Sequence, residues 1–327
     1  MPTIYVSDPV HDDVLADLAT DGVVHLGYGA NAVDYADVCE SVDAVLLRAE
    51  EFPRGKIEAS PRLRIIARHG VGTDNVDLDA AREHGVWVTI TPGGNARAVA
   101  EHVFALILAL ARKVPEASNR TRSGVWGERK DGLTGVELNG RALGLLGLGS
   151  IGRRVAGIGR AFGMDVLVSD PAVDAESAEA LGCRLVGLEE LISSSDVVSL
   201  HAPLLPSTRH IIGSAQFDEM RPGALLINTS RGGLVDEAAL VAALRSGRLG
   251  GAGLDVLEAE SDNMRDPVSC NRFPIDEFDN LLVTPHVAGQ TDEALAEVGG
   301  AAVACVRSAL AGGIPDNAVV TPPRAAA

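Results

Sequence analysis

The sequence predicts an α/β protein built from two parallel-sheet domains, and three observations predict it. Short apolar runs alternate with helical periods from Thr3 to about Thr91. A glycine turn joins two more such runs between Arg141 and Asp170, and four further runs follow, each ending in a polar cluster. Strands that alternate with helices are joined by crossovers rather than hairpins, which makes the sheet parallel and covers both of its faces. A chain of 327 residues, 46% of them hydrophobic, is long enough for two such cores.

The first unit has apolar strands at 4–6, 44–47, 63–67 and 87–90, with helices beginning near Val10, Ala32, Pro53 and Asp77. It is expected to be a flavodoxin-like α/β domain. The segment 95–113 (NARAVAEHVFALILALARK) is apolar almost all round and closes before Pro115. Such a helix is buried, either in a core or against another subunit. Residues 119–135 read as a polar connecting arm anchored by Trp126.

The segment 141–170 (RALGLLGLGSIGRRVAGIGRAFGMDVLVSD) then reads as strand, glycine turn, helix, strand and acid. Gly147 permits the tight turn, Gly149 lets a pyrophosphate approach the backbone, and Gly152 lets helix pack closely on strand. Ser150 and Ile151 open the helix, whose free N–H groups and positive dipole end suit that pyrophosphate. Asp170, 23 residues after Gly147, is placed to accept both ribose hydroxyls of an adenosine and to repel a 2′-phosphate. The alternative is an ordinary βαβ turn. The reading is a Rossmann dinucleotide-binding domain, with NAD as cofactor.

Apolar strands at 196–200, 224–228, 253–256 and 281–284 continue this sheet. Residues 262–280 are turn-rich and read as a surface excursion; from Thr291 the chain is helical to about 312. The nucleotide sheet is complete by Thr284, so the last helix must return to the first unit. The expected domains are therefore 1–98 with 291–327, and 99–290.

A net charge of −17 argues against nucleic acid or an anionic membrane as partner. An anion such as NAD must then be met locally, by arginines or backbone amides. The longest apolar run, 103–111, is too short to span a bilayer, and the N-terminal MPTIYVSDPV has no basic leader. Cys39, Cys183, Cys270 and Cys305 form no C-x-x-C, which suits a reducing cytoplasm and offers no metal site.

The polar clusters at the strand ends are HAP (201–203), TSRGG (229–233), LEAE (257–260) and PHVAG (285–289). In a doubly wound sheet ligands bind at the carboxyl ends of the strands, so these clusters converge on the nicotinamide end of the cofactor. Moving a hydride between a nicotinamide and a 2-hydroxy acid needs a carboxylate site, a cation on the C2 oxygen and a proton donor of near-neutral pKa. Arg231 supplies a cation, and His201 and His286 are both candidate acids. Spacing alone does not choose between them.

Over nearly its whole length the chain resembles the D-isomer-specific 2-hydroxyacid dehydrogenase family. The blocks are RHGVGTDNVD (68–77), TPGGNARAVAEHVFALILALAR (91–112), GLGSIGRRVA (147–156), DVVSLHAPLLPSTRHII (196–212), INTSRGGLVDEAAL (227–240), GAGLDV (251–256) and TPHVAG (284–289). The 3-phosphoglycerate dehydrogenase and hydroxypyruvate reductase branch is the most similar. The resemblance implies a triad of Arg231, Glu260 and His286, with His201 on the cofactor side. It implies that Ala202, Pro203, Thr208 and Gly289 line the cofactor groove, that Asn228, Thr229 and Ser230 form its floor, and that Asp255 faces the nicotinamide amide. Val71 and Gly72 would offer N–H groups to the substrate carboxylate, and Arg48 is a substrate-contacting cation.

The chain departs from the family pattern at Ser261, where proline usually follows the glutamate, and at Ala49, where a hydroxyl residue is common. Glu258 also lies two residues from Glu260. The expected function is an NAD-dependent D-2-hydroxyacid dehydrogenase or 2-keto acid reductase. A D-3-phosphoglycerate dehydrogenase without a regulatory domain is the alternative substrate reading, and an NAD-sensing, corepressor-like binding protein is the non-enzyme one. A homodimer through the 99–112 helix is expected.

Overall fold

The computed structural model describes residues 1–126, 132–261, Val268 and 273–322, and the chain divides into two compact units. One is Met1–Asn95 with Gln290–Ala327, the other Ala96–Gly289.

In the first unit β1 (Thr3–Val6), β2 (Val23–Leu26), β3 (Ala44–Leu47), β4 (Ile65–Arg68) and β5 (Trp87–Thr89) alternate with α1 (Asp12–Asp21), α2 (Tyr35–Val38), α3 (Arg54–Glu58) and α4 (Leu78–Glu83). The strand order β2-β1-β3-β4-β5 is the flavodoxin-like order. Successive strand residues face opposite sides, and the two cores divide accordingly. Ile4, Val6, Ala44, Leu46, Ile65 and Ala67 pack on one face, while Tyr5, Val45, Leu47 and Ile66 pack on the other.

The first face is closed by the long C-terminal helix, here α12 (Asp292–Leu310), through Ala302, Val303, Val306 and Ala309. Thr291 caps that helix by accepting the N–H of Ala294 at 3.2 Å. Arg64 caps its other end, donating to the carbonyls of Ala309 (2.6 Å) and Leu310 (2.9 Å). A final strand, β13 (Ala318–Val320), pairs antiparallel with β5, so this sheet is parallel in five strands and antiparallel at one edge.

The second unit opens with α5 (Ala96–Ala111) and α6 (Val114–Arg122). Pro115 falls in the first turn of α6, where a missing N–H costs nothing, so it begins a helix as well as ending one. The expected polar arm at 119–135 is thus helical at its start; residues 127–131 lie outside the described residues.

The sheet follows with β6 (Ala142–Leu146), β7 (Asp165–Ser169), β8 (Arg184–Leu185), β9 (Val197–Leu200), β10 (Leu225–Asn228), β11 (Gly251–Leu254) and β12 (Leu281–Val283). Its intervening helices are α7 (Ser150–Ala161), α8 (Ala175–Ala180), α9 (Leu188–Ser194), α10 (Ser214–Glu219) and α11 (Glu237–Arg245). All strands are parallel, in the order β12-β11-β10-β9-β6-β7-β8, which is the Rossmann order with its switch point between β6 and β9. Helix α5 belongs to this core: Val103, Phe104, Leu106 and Ile107 pack with Leu143, Leu145, Val155 and Ile227. Its apolar faces are therefore largely covered within its own unit.

The expected excursion at 262–280 falls largely outside the described residues; of its later part, Phe273 is buried in the core. Among the described residues no helix is long and apolar enough to cross a membrane, and no His/Cys/Asp/Glu group has metal-ligand geometry.

Candidate active site

The glycine turn between β6 and α7 has the geometry that its spacing predicts. Gly147 has φ +101°, and a Cβ there would meet the His201 carbonyl at 2.7 Å. A Cβ on Gly152 would meet the Gly147 carbonyl at 2.3 Å, whereas nothing lies within 4 Å of the corresponding point on Gly149. The backbone is thus bare where a pyrophosphate must approach the first turn of α7, which Ser150 and Ile151 begin.

Asp170, just past β7, turns back to this loop. Its Oδ2 accepts the N–H of Leu148 at 2.8 Å and its Oδ1 that of Ala172 at 2.9 Å. A carboxylate oxygen can accept a second hydrogen bond, so the pair remains able to take two hydroxyls. A cavity of about 540 Å³ opens beside it, lined by Ser169, Asp170, Pro171, Leu185, Val186, Gly187 and Glu190. Just past β10, Thr229 Oγ1 is buried with no hydrogen-bond partner in the described structure. Bare backbone, a paired acid and an unpartnered hydroxyl all fit a dinucleotide.

Along the groove the polar residues brace one another. Thr208 Oγ1 donates to the Pro203 carbonyl (2.7 Å) and accepts the Leu205 N–H (2.8 Å). Ser230 Oγ donates to the Ala202 carbonyl at 2.7 Å. Asn228 is buried, accepts the Ser230 N–H at 3.0 Å and donates to the Arg231 carbonyl at 2.8 Å. These bonds fix the loop that carries Arg231, which continues into a 3-10 turn, Gly232–Leu234. A Cβ on Gly232 would lie 2.0 Å from the Leu257 carbonyl carbon, so only glycine lets the Arg231 loop rest on the peptide leading to Glu260.

The two candidate histidines differ sharply. His201, at the end of β9, contacts Ser199 Oγ at 3.0 Å, and burial pulls its pKa down to about 4. It is neutral at pH 7. His286 follows β12 with a left-handed φ of +53°, a strained position for a residue with a side chain. Its Nδ1 lies 2.8 Å from Glu260 Oε2, and the side chains are 45% and 13% exposed respectively. Glu260 Oε1 accepts the Leu257 N–H at 2.9 Å, which holds the carboxylate in place.

Glu258 faces elsewhere, toward Arg209 and His210. The two glutamates sit on one 3-10 turn, Glu258–Ser261, where residues two apart point in different directions.

Asp255 is fully buried. Its Oδ1 accepts the Thr284 hydroxyl (2.5 Å) and the Val287 N–H (2.9 Å), and its Oδ2 the Ala288 N–H (2.8 Å). Its own carbonyl accepts the His286 N–H at 2.9 Å. These bonds hold the turn that presents His286 and ends at Gly289. Sequence reasoning missed His102, whose Nε2 lies 3.0 Å from Thr284 Oγ1 and extends this network from α5. Histidine on an apolar helix was its only trace.

In the first unit the structure gathers Arg48, Val71 and Gly72 at the ends of β3 and β4. Asn75 Nδ2 donates to the carbonyls of Glu50 (2.7 Å) and Arg48 (3.3 Å). Arg68, which the sequence reading passed over, donates through Nε to the Gly72 carbonyl (2.6 Å) and through its guanidinium to the carbonyls of Leu47 and Arg48. An arginine closing the apolar strand IIAR was the available signal. Arg48 itself donates to the Pro9 carbonyl at 2.9 Å, and Val71 is exposed.

The nucleotide turn, the paired acid and the parallel Rossmann sheet define an NAD-binding oxidoreductase fold, and comparison with known proteins agrees. A model of the NAD binding domain of D-isomer specific 2-hydroxyacid dehydrogenases matches residues 104–288. A D-3-phosphoglycerate dehydrogenase of Methanocaldococcus jannaschii is 37% identical over 324 residues, covering 98% of this chain and 60% of that protein. A glyoxylate reductase of Aeropyrum pernix is 43% identical over 242 residues, 72% of this chain and 70% of that protein. The crystal structure of a D-lactate dehydrogenase from Aquifex aeolicus, complexed with NAD and lactic acid, has a TM-score of 0.85 at 30% identity and covers 98% of this chain and all of that one. This chain belongs to the D-isomer specific 2-hydroxyacid dehydrogenases, a family of NAD-dependent oxidoreductases. It spans about 60% of the length of that curated phosphoglycerate dehydrogenase.

Proposed function

We propose that the chain is an NAD-dependent D-2-hydroxyacid dehydrogenase that reduces or oxidises C2 of a small 2-keto or 2-hydroxy acid, with His286 as acid/base. The observation that carries this reading is the 2.8 Å contact between His286 Nδ1 and Glu260 Oε2. A carboxylate on Nδ1 fixes the orientation and tautomer of the ring and leaves Nε2 for the substrate oxygen, to which it gives a proton during reduction. NADH, when bound, supplies the hydride.

Gly147, Gly149, Ser150, Ile151 and Gly152 are the proposed pyrophosphate contacts and Asp170 the proposed ribose contact. Arg231, a permanent cation, is assigned to the carboxylate and C2 oxygen. Arg48 and the N–H groups of Val71 and Gly72 are further proposed substrate contacts.

Turnover of NADH against a panel of glyoxylate, hydroxypyruvate, pyruvate and 3-phosphohydroxypyruvate tests the reading. Reduction of at least one supports it. NADH binding without turnover of any would leave the cofactor-sensing alternative in its place.

A phosphate or second carboxylate on the substrate is favoured by Arg48, a permanent cation whose guanidinium donates to the Pro9 carbonyl at 2.9 Å, while Ala49 beside it counts against a phosphorylated one. If that reading holds, Arg48→Ala raises KM for 3-phosphohydroxypyruvate about tenfold more than for glyoxylate, one charged contact being worth roughly that factor.

We also propose a homodimer. Helix α5 is mostly covered within its own unit, so the surface offered to a second copy lies beside it, at Val114 (54% exposed) and Trp126 (82% exposed). Sedimentation at micromolar concentration is expected to show a dimer; a stable monomer would exclude it.

A further inference from the structure

The mechanism above leaves Glu258 unused, yet it is the most heavily engaged residue of the 3-10 turn that carries Glu260. Its carboxylate is 22% exposed and meets His210 Nε2 at 2.9 and 3.1 Å, with the Arg209 guanidinium on the same oxygen. Its backbone N–H donates to Glu237 Oε1 at 2.7 Å, in the first turn of α11. Its peptide is the one on which Gly232 rests, with 2.2 Å from the Glu258 nitrogen to a Cβ built there. Three loops therefore meet at this residue: the one containing Pro203 and Thr208, the one containing Arg231, and the turn containing Glu260.

We propose that Glu258 is a positioning residue, held by Arg209 and His210, which fixes this turn so that Glu260 stays against His286. The proposal rests on reading His286 and Glu260 as the proton-handling pair.

An exposed ion pair on its own contributes little, and Arg209 is 57% exposed. Glu258 differs from such a pair because its main chain is clamped as well as its side chain. Glu260 lies two residues further along a turn of only four residues, Glu258–Ser261. Its Oε1 bond returns to the Leu257 N–H, immediately before the clamp. Movement of the clamp is therefore movement of the carboxylate. The positive φ of His286 and the Asp255 contacts that brace its turn hold the imidazole independently. Releasing Glu258 would open the pair from the glutamate side alone.

Two measurements test this. In a crystal structure of Glu258→Ala, Glu260 is expected to have left His286. In steady-state reduction, Glu258→Ala is expected to lower kcat about tenfold, the scale of a small misplacement of a reacting group. NADH affinity, measured by fluorescence titration, is expected to stay unchanged. In a Glu260→Gln background the same substitution is expected to cost nothing further, because it acts through the carboxylate already removed. Should Glu258→Ala misfold, the paired substitution Arg209→Ala with His210→Asn releases the same carboxylate from its exposed side and is expected to give the same results. An intact Glu260–His286 contact in the variant crystal, or a tenfold cost repeated in full in the Glu260→Gln background, would overturn the proposal. If the wild-type protein reduced none of the 2-keto acids, the functional reading would fall, while the crystal contact would still decide this one.

Discussion

His201 and His286 stand at the ends of two strands of one sheet, and the structure gives them opposite characters. His201 lies beneath the glycine turn, touches a serine hydroxyl and is kept neutral by burial, its pKa near 4. His286 is half-exposed, sits in a strained backbone conformation and has a carboxylate on one ring nitrogen. Position along the strand does not make a histidine an acid. What separates the two is the carboxylate held on one ring nitrogen of His286 and the exposure of the rest of its ring.

The largest expected effect breaks this comparison directly. His286→Ala is expected to lower kcat by about 10²–10⁴-fold with NADH affinity nearly intact, since losing a positioned acid/base costs that much. His201→Asn is expected to cost no more than about tenfold, through cofactor placement alone. Equal losses in rapid-mixing assays of the two variants would erase the distinction.

A smaller effect separates cofactor recognition from chemistry. Asp170→Ala is expected to reduce the preference for NAD over NADP by about tenfold or more in kcat/KM, because the group that repels a 2′-phosphate is gone. Wild-type kcat/KM values equal for the two cofactors would remove Asp170 from that role.

The smallest effect concerns stability. His201 and His69 both have folded pKa values near 4, below the ordinary 6.5, chiefly because both are buried. Between those values the unfolded chain binds more protons than the folded one, so stability is full above about pH 6.5 and is lost as pH falls toward 4. Replacing His201 with glutamine is expected to flatten that acid limb by on the order of 1–2 kcal/mol in urea titrations. An unchanged slope would show that His201 does not contribute to it.

The sequence carried the parts of the fold that burial dictates. Strands such as Ala44–Leu47 are enclosed on both faces and read as unbroken apolar runs. The missed strands lie at edges: β2 is half-exposed and contains His25, β8 has two residues and β13 three. Edge strands need no long hydrophobic run, and runs this short do not stand out from the loops around them.

The place of Asp170 just past β7 could be read because a βαβ unit has nearly fixed length. The pairing of Glu260 with His286 was expected only by resemblance, since nothing in LEAE distinguishes its two acids. What separates them is the 3-10 turn, which directs Glu258 to Arg209 and His210 and Glu260 to His286. Likewise, spacing does not show that Asp255 is engaged on both oxygens by its own turn.

The central claim is that His286 works as a carboxylate-paired imidazole, and kcat for reduction by Glu260→Ala, with NADH affinity measured beside it, tests it most directly. The substitution removes the acceptor that holds Nδ1, so kcat is expected to fall about tenfold or more while NADH affinity stays unchanged. A kcat that stays at the wild-type value would show that His286 acts without Glu260.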